Sequence, residues 1–277
     1  MVSEAVEERG IKMIRDITIG QYYPSDSVLH RLDPRVKLSG TFLYIVCLFL
    51  VKNWWGYLAA AVCLAAVIKL SKVPFGYIVK GLKAVIILLL FTVMFNLFLT
   101  SGTPVFEWKF IRVTKEGIYL AATMAVRLIL LILGSSLMTF TTTPNQLTDG
   151  LESLLRPLNK IHVPVHEVAM MMSIALRFIP ILLEETDKIM KAQQARGADF
   201  ETGGLIRRAK AMVPLLVPLF ISAFRRAGDL AMAMEARCYH GGTGRTKMKP
   251  LHYKKRDGVA WIILAMFLAV VVVTRKL

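Results

Sequence analysis

Two arginines stand at matched places in this sequence. Arg196 lies in Ala195-Arg196-Gly197 and Arg237 in Ala236-Arg237-Cys238, and superposing them also aligns Ala192 with Ala233, which makes a weak internal repeat. A guanidinium offers a planar fork of donors that grips a carboxylate through two parallel charge-assisted bonds, and a lysine ammonium does not reproduce this. Alanine ahead of each arginine lets a helix end come close to a partner. The same residues also fit a purely structural use, in which each arginine is a cation in the last turn of a helix, favoured by the dipole and followed by a small closing residue. Duplication of the tripeptide shifts the balance towards docking on a soluble partner.

Other chemistry is scarce. Neither Gly-Lys-Ser nor Gly-Lys-Thr occurs, and Gly241-Gly242-Thr243-Gly244-Arg245 lacks the lysine that follows the glycines of a phosphate-binding loop, so nucleotide energy must come from another chain. There is no Gly-x-Ser-x-Gly elbow and no aspartate-rich phosphate clamp, hence no expected catalytic residue and no cofactor. His162 and His166 are four apart, but Pro164 separates them and no His-Glu-x-x-His occurs, so no metal site is expected. Cys47 and Cys63 sit in apolar runs and Cys238 in the middle region, without the spacing of a disulfide framework or a thiolate site.

The elements that position the arginines follow from composition. Of 277 residues, 55% are hydrophobic and 19% charged; mean hydropathy is +0.54. These values fit an all-α polytopic membrane protein and exclude an ordinary soluble domain. The formal net charge of +16 is spread between the apolar runs, as basic loops at a cytoplasmic face require, and this weighs against nucleic-acid binding. Residues 1–35 are polar and charged, with no secretory signal expected.

Runs near the length of a bilayer core fall at 37–52, 54–71, 82–101, 117–140 and 258–274, predicting about five transmembrane helices. The expected organisation is a cytoplasmic segment 1–36, membrane helices 37–140, long kinked cytoplasmic helices 141–257 and a last membrane helix 258–277. Asn53-Trp54-Trp55 makes a tight turn with its tryptophans at an interface. Arg31, Arg35 and Lys37, then Lys69, Lys72, Lys80 and Lys83, act as basic anchors that put the amino terminus inside and the carboxyl terminus outside. Arg127, within the fourth run, must face protein or snorkel. The alternation Phe106-Glu107-Trp108-Lys109-Phe110 predicts a short hairpin.

Capping signals delimit the helices. Asp33 before Pro34 starts the first. Thr143-Pro144-Asn145-Gln146 has capping-box spacing, followed by Leu147, Leu151, Leu154, Leu155 and Leu158 on one helix face. One helix is expected from about Val165 to Arg196, kinked at Pro180, apolar in its first half and charged in its second. Another runs from Arg207 past Pro214 and Pro218 to Arg237, with Asp229 placed for a local ion pair with Arg225. Pro180, Pro214 and Pro218 are the candidate hinges.

Three stretches in this order, residues 29–38, Arg177-Phe178-Ile179-Pro180 through Ala195-Arg196-Gly197, and Ala233-Met234-Glu235-Ala236-Arg237, resemble the transmembrane T component of energy-coupling factor transporters. The resemblance covers nearly the whole chain. It implies a scaffold whose coupling helices place the arginines of two Ala-Arg-Gly motifs, here Arg196 and Arg237, in grooves of two ATP-binding-cassette (ABC) ATPases. It further implies a lipid bilayer setting and an S subunit that binds a vitamin or metal ion. The sequence departs from the pattern at Cys238, where the family has glycine. Cysteine is strained in a left-handed cap, so the second helix end is expected to close differently, with Gly241 and Gly242 as the alternative. The rival reading is a membrane-embedded enzyme acting on lipid or isoprenoid substrates.

Overall fold

The computed structural model describes residues 22–83, 85–108, 111–198, 200, 204–242, 247–248 and 250–276. The charged amino-terminal stretch, Lys109 and Phe110 of the expected hairpin, Gly203 and the Thr243-Gly244-Arg245 stretch lie outside the described residues. The chain divides into two compact units, one of residues 20–154 with 249–277 and one spanning Leu155–Met248.

The first unit is a helical bundle of α1 (Pro34–Leu50), α2 (Trp54–Ser71), α3 (Phe75–Lys83), α4 (Ile86–Leu99), α5 (Lys115–Thr141), nearly all of α6 (Pro144–Leu155) and α9 (Lys255–Lys276). Between α4 and α5 a hairpin pairs β1 (Pro104–Trp108) with β2 (Ile111–Thr114), antiparallel, with Phe106 opposite Val113. The core gathers Tyr44, Cys47 and Leu48 of α1, Tyr57, Ala60 and Leu64 of α2, Leu130, Leu137 and Phe140 of α5, and Phe267 and Val271 of α9. Tyr44 stacks on Phe267 at 5.9 Å between ring centroids. Gly134 lets α5 approach the Tyr44 ring, a place where any Cβ would overlap it. Phe42, Phe49, Leu58, Val62, Leu88 and Leu90 are left exposed, as a surface solvated by lipid requires. The molecule is an all-α polytopic membrane protein with one small hairpin.

Several expectations hold in detail. Asp33 caps α1 by accepting from Arg35 N at 2.9 Å, with Pro34 in the first turn. The capping box of α6 is reciprocal, Gln146 N to Thr143 Oγ1 and Thr143 N to Gln146 Oε1, both at 3.3 Å. Arg127 faces protein: its Nη2 donates to the Tyr57 hydroxyl at 2.7 Å and to the Val51 carbonyl at 3.3 Å. That carbonyl ends α1, where no helical donor follows.

Others are corrected. The run 82–101 is not one straight span, because α3 and α4 meet at a bend of 60°. The amphipathic helix after Thr143 ends at Leu155 and tightens into a 3-10 turn, Arg156–Ile161, because Pro157 lacks the N–H that would continue an α-helix. Lys37 is not a free basic anchor; it is buried, and its ammonium donates to the carbonyls of Thr141 at 2.8 Å and His30 at 3.2 Å. Thr141 ends α5, and a cation there satisfies an orphan carbonyl and complements the dipole.

In the second unit α7 (Val165–Ala195) and α8 (Leu205–Glu235) have 31 residues each. Both continue through their prolines, Pro180 in α7 and Pro214 and Pro218 in α8. Five described helices are long and apolar enough to cross a membrane: α2, α5, α7, most of α8 and α9. Two of these are the helices that sequence patterning assigns outside the bilayer, and α1 is 17 residues long.

Candidate functional site

The tripeptide Ala195-Arg196-Gly197 closes α7 through a Schellman motif. Gly197 takes the left-handed conformation with φ +84°. Its N–H donates to Gln194 O at 2.9 Å, and the Ala198 N–H reaches back to Gln193 O at 3.0 Å. Arg196 therefore occupies the capping position, exposed together with Ala195 and Gly197.

The second tripeptide closes α8 in the same way. Cys238 is left-handed with φ +54°; its N–H donates to Glu235 O at 2.8 Å, and the Tyr239 N–H reaches Met234 O at 3.1 Å. Each bond is the counterpart of one at the first tip, 41 residues earlier in the sequence. The expectation that cysteine would divert this cap to Gly241 or Gly242 is thus overturned. The two bonds hold Cys238 in a conformation unfavourable for a residue with a Cβ by about 1–2 kcal/mol. Ala236, Arg237 and Cys238 are all exposed. The arginine N–H groups match too, Arg196 N donating to Gln193 O at 3.0 Å and Arg237 N to Met234 O at 3.1 Å, so both arginines sit in the same hydrogen-bond pattern.

Helices α7 and α8 pair antiparallel. Ser222 Oγ donates to Glu185 Oε1 at 3.1 Å, and Arg226 makes an ion pair with the other oxygen of the same carboxylate. On this stretch the ion pair is thus between helices, at Arg226, whereas the spacing of Arg225 and Asp229 pointed to a pair within one. Further along, Gln193 Nε2 donates to Pro214 O at 3.3 Å. The Arg196 tip accordingly lies near the level of Pro214, while Arg237 follows 23 residues later, about 35 Å along the helix path. Spacing alone could not select Glu185 over Glu184; the pairing of the helices does so.

In the bundle, the stretch around residues 29–38 ties three helix starts and ends together. The Asp257 carboxylate accepts from Lys254 N at 2.7 Å, capping α9, and from Asp33 N at 2.9 Å. Asp257 is 2% exposed. It escaped the sequence reading because a lone aspartate after Lys-Lys-Arg looks like part of a solvated basic loop; the cap signal was its place three residues after Lys254. Arg35 lies over the Tyr253 ring at 5.4 Å. His30 donates from Nε2 to Tyr23 O at 3.0 Å and accepts at Nδ1 from Ser27 Oγ at 2.7 Å, a neutral imidazole whose pKa burial pushes below 6.5. Arg31 pairs with Asp26, and this hydrogen bond holds the Asp26 carboxyl below its usual range. These groups are engaged with one another and with backbone within the bundle.

The family model described as "CbiQ: Cobalt transport protein" matches residues 25–249. Among curated relatives, a protein of Clostridium kluyveri named energy-coupling factor transporter transmembrane protein EcfT is 57% identical over 265 residues, 95% of this chain and 98% of its own length. Proteins with the same name are 52% identical in Ruminiclostridium cellulolyticum, over 94% of this chain and 97% of the relative, and 48% identical in Bacillus subtilis, over 92% and 98%. Such identity over nearly full length on both sides, in a chain with this helical membrane fold, makes the protein a multi-pass cell-membrane protein. The chain belongs to the CbiQ/EcfT family, the transmembrane components of energy-coupling factor transporters.

Proposed function

We propose that the chain is the non-catalytic scaffold of an ATP-driven importer, joining two ABC ATPase subunits to a substrate-binding S subunit for a vitamin or metal ion. The observation that carries this reading is the pair of Schellman caps with corresponding hydrogen bonds at Arg196 and Arg237. Two equal helix ends, each with an exposed guanidinium, suit two equal acidic grooves. A path of about 35 Å between them suits two separate subunits better than two points on one.

Both tips must then face the cytosol. Although α7 and most of α8 have the length and hydropathy of spans, charge breaks their apolar runs: residues 211–224 make only 14 consecutive uncharged positions and Arg177 interrupts the run of α7. Apolar stretches of about 10–14 residues suit interfacial or packed helices better than spans. Helices lying along the membrane keep both carboxyl ends on one side, whereas an upright antiparallel pair would separate them. The exposed row Val213, Leu216, Val217, Phe220 and Phe224 of α8 then faces lipid or the S subunit.

ATP binding would draw the two ATPases together and move the tips, with Pro180, Pro214 and Pro218 as hinges. The test is co-purification of the ATPases and ATP-driven uptake with Arg196→Ala, Arg237→Ala and the double variant. Loss of both readouts in the double variant is expected; unchanged capture and uptake would remove the coupling role.

A further inference from the structure

Pro218 has no N–H, so the Pro214 carbonyl four residues earlier lacks its helical donor. A bare carbonyl beside a proline is where a helix bends most easily. The carbonyl is not bare, because the Gln193 side-chain amide of α7 donates to it at 3.3 Å. Eight residues away on each helix, Glu185 of α7 accepts from Ser222 and Arg226 of α8. Residues 185 and 193 span about 12 Å, as do residues 214 and 222, so the two attachments match in length and straddle Pro218.

We propose that α7 splints α8 across Pro218 and that Gln193 is the positioning residue that fixes the direction of α8 there, and with it the spacing of the two arginine tips. The importance of that spacing rests on the docking function proposed above; the splint itself does not. Leverage makes the direction matter. Arg237 lies about 35 Å beyond Pro214, so a change of about 10° in helix direction beside the prolines moves it by about 6 Å, more than a bidentate ion pair tolerates. The same Gln193 also supplies, through its backbone carbonyl, the acceptor for Arg196 N and Ala198 N at the first tip. One residue thus joins the first tip to the fulcrum of the second.

The test measures the distance between spin labels at Lys191→Cys on α7 and Ala231→Cys near the end of α8, both exposed. The full chain is used in lipid nanodiscs, with Cys47 and Cys63 replaced by alanine and Cys238 by glycine. A narrow distribution is expected with Gln193, and a distribution at least twice as broad with Gln193→Leu or with Gln193→Glu, which keeps the size but not the donor. Pro218→Ala restores an internal N–H for the Pro214 carbonyl, so in that background Gln193→Leu is expected to leave the distribution narrow. Equal broadening in both backgrounds, or none in either, overturns the proposal. Since no ATPase is present, the result judges the splint separately from the arginine experiment, which judges the docking function.

Discussion

The carboxylate of Asp257 accepts the backbone N–H of Asp33, 224 positions earlier, and so fastens the start of the last helix to the start of the first. The bond is buried and its second oxygen caps α9 through Lys254 N. One short side chain thus serves two helix beginnings.

Asp257→Ala leaves both N–H groups without that acceptor. Loss of about 1–3 kcal/mol per buried unsatisfied donor is expected, read as a lower midpoint of thermal unfolding in detergent. Asp257→Asn retains one acceptor oxygen and should fall between the two. An unchanged midpoint for the alanine variant would show that the two donors find other partners.

Cys238→Gly should relieve the second cap, because glycine adopts φ near +54° without a Cβ clash. A gain of about 1–2 kcal/mol in local stability is expected, seen as slower hydrogen exchange at Cys238 N and Tyr239 N, the two donors of the motif. Faster exchange would contradict the strain argument.

Arginine and lysine should not be equivalent at the tips. Arg196→Lys and Arg237→Lys keep the charge and lose the fork, so each should weaken ATPase capture, while Ala substitution should weaken it further, by about 2–5 kcal/mol if the partner carboxylate is buried. Binding titrations against the purified ATPases provide the measurement; full affinity in the lysine variants would refute bidentate recognition.

His30 sets a pH dependence. Burial lowers its folded pKa below the 6.5 of the free side chain, so the neutral form is the one the fold accepts. Its contribution to stability is complete above pH 6.5 and is lost as pH falls through the lowered folded value. Thermal melts of wild type and His30→Gln between pH 7.5 and about pH 5 should converge on the acid side. Parallel curves would exclude His30 as the titrating group.

Gly134→Ala tests the approach of α5 to α1. The added Cβ would overlap the Tyr44 ring, whose hydroxyl is tied to Leu130 O at 3.3 Å. Overpacking of this kind costs about 1–3 kcal/mol, against a small gain in helix propensity. A higher unfolding midpoint would mean that the ring moves freely.

Much of this molecule is written in local sequence. Asp33-Pro34 and Thr143-Pro144-Asn145-Gln146 announce their helix starts because capping involves residues within one turn, and Ala-Arg-Gly announces a helix end for the same reason. Apolar runs declare a membrane protein since hydropathy is additive along a chain. What sequence could not decide is where distant groups meet. Lys37 reads as an anchor and Asp257 as loop charge until the fold brings one to the end of α5 and the other to Asp33. Cys238 argues locally against a left-handed cap, yet two hydrogen bonds hold it there. Gln193 looks like an ordinary polar helix residue, and only the antiparallel pairing of α7 and α8 sets its amide against the carbonyl that Pro218 leaves open. Local rules fix what each segment prefers; tertiary packing chooses which unsatisfied group each polar side chain completes, because those groups lie far apart in sequence.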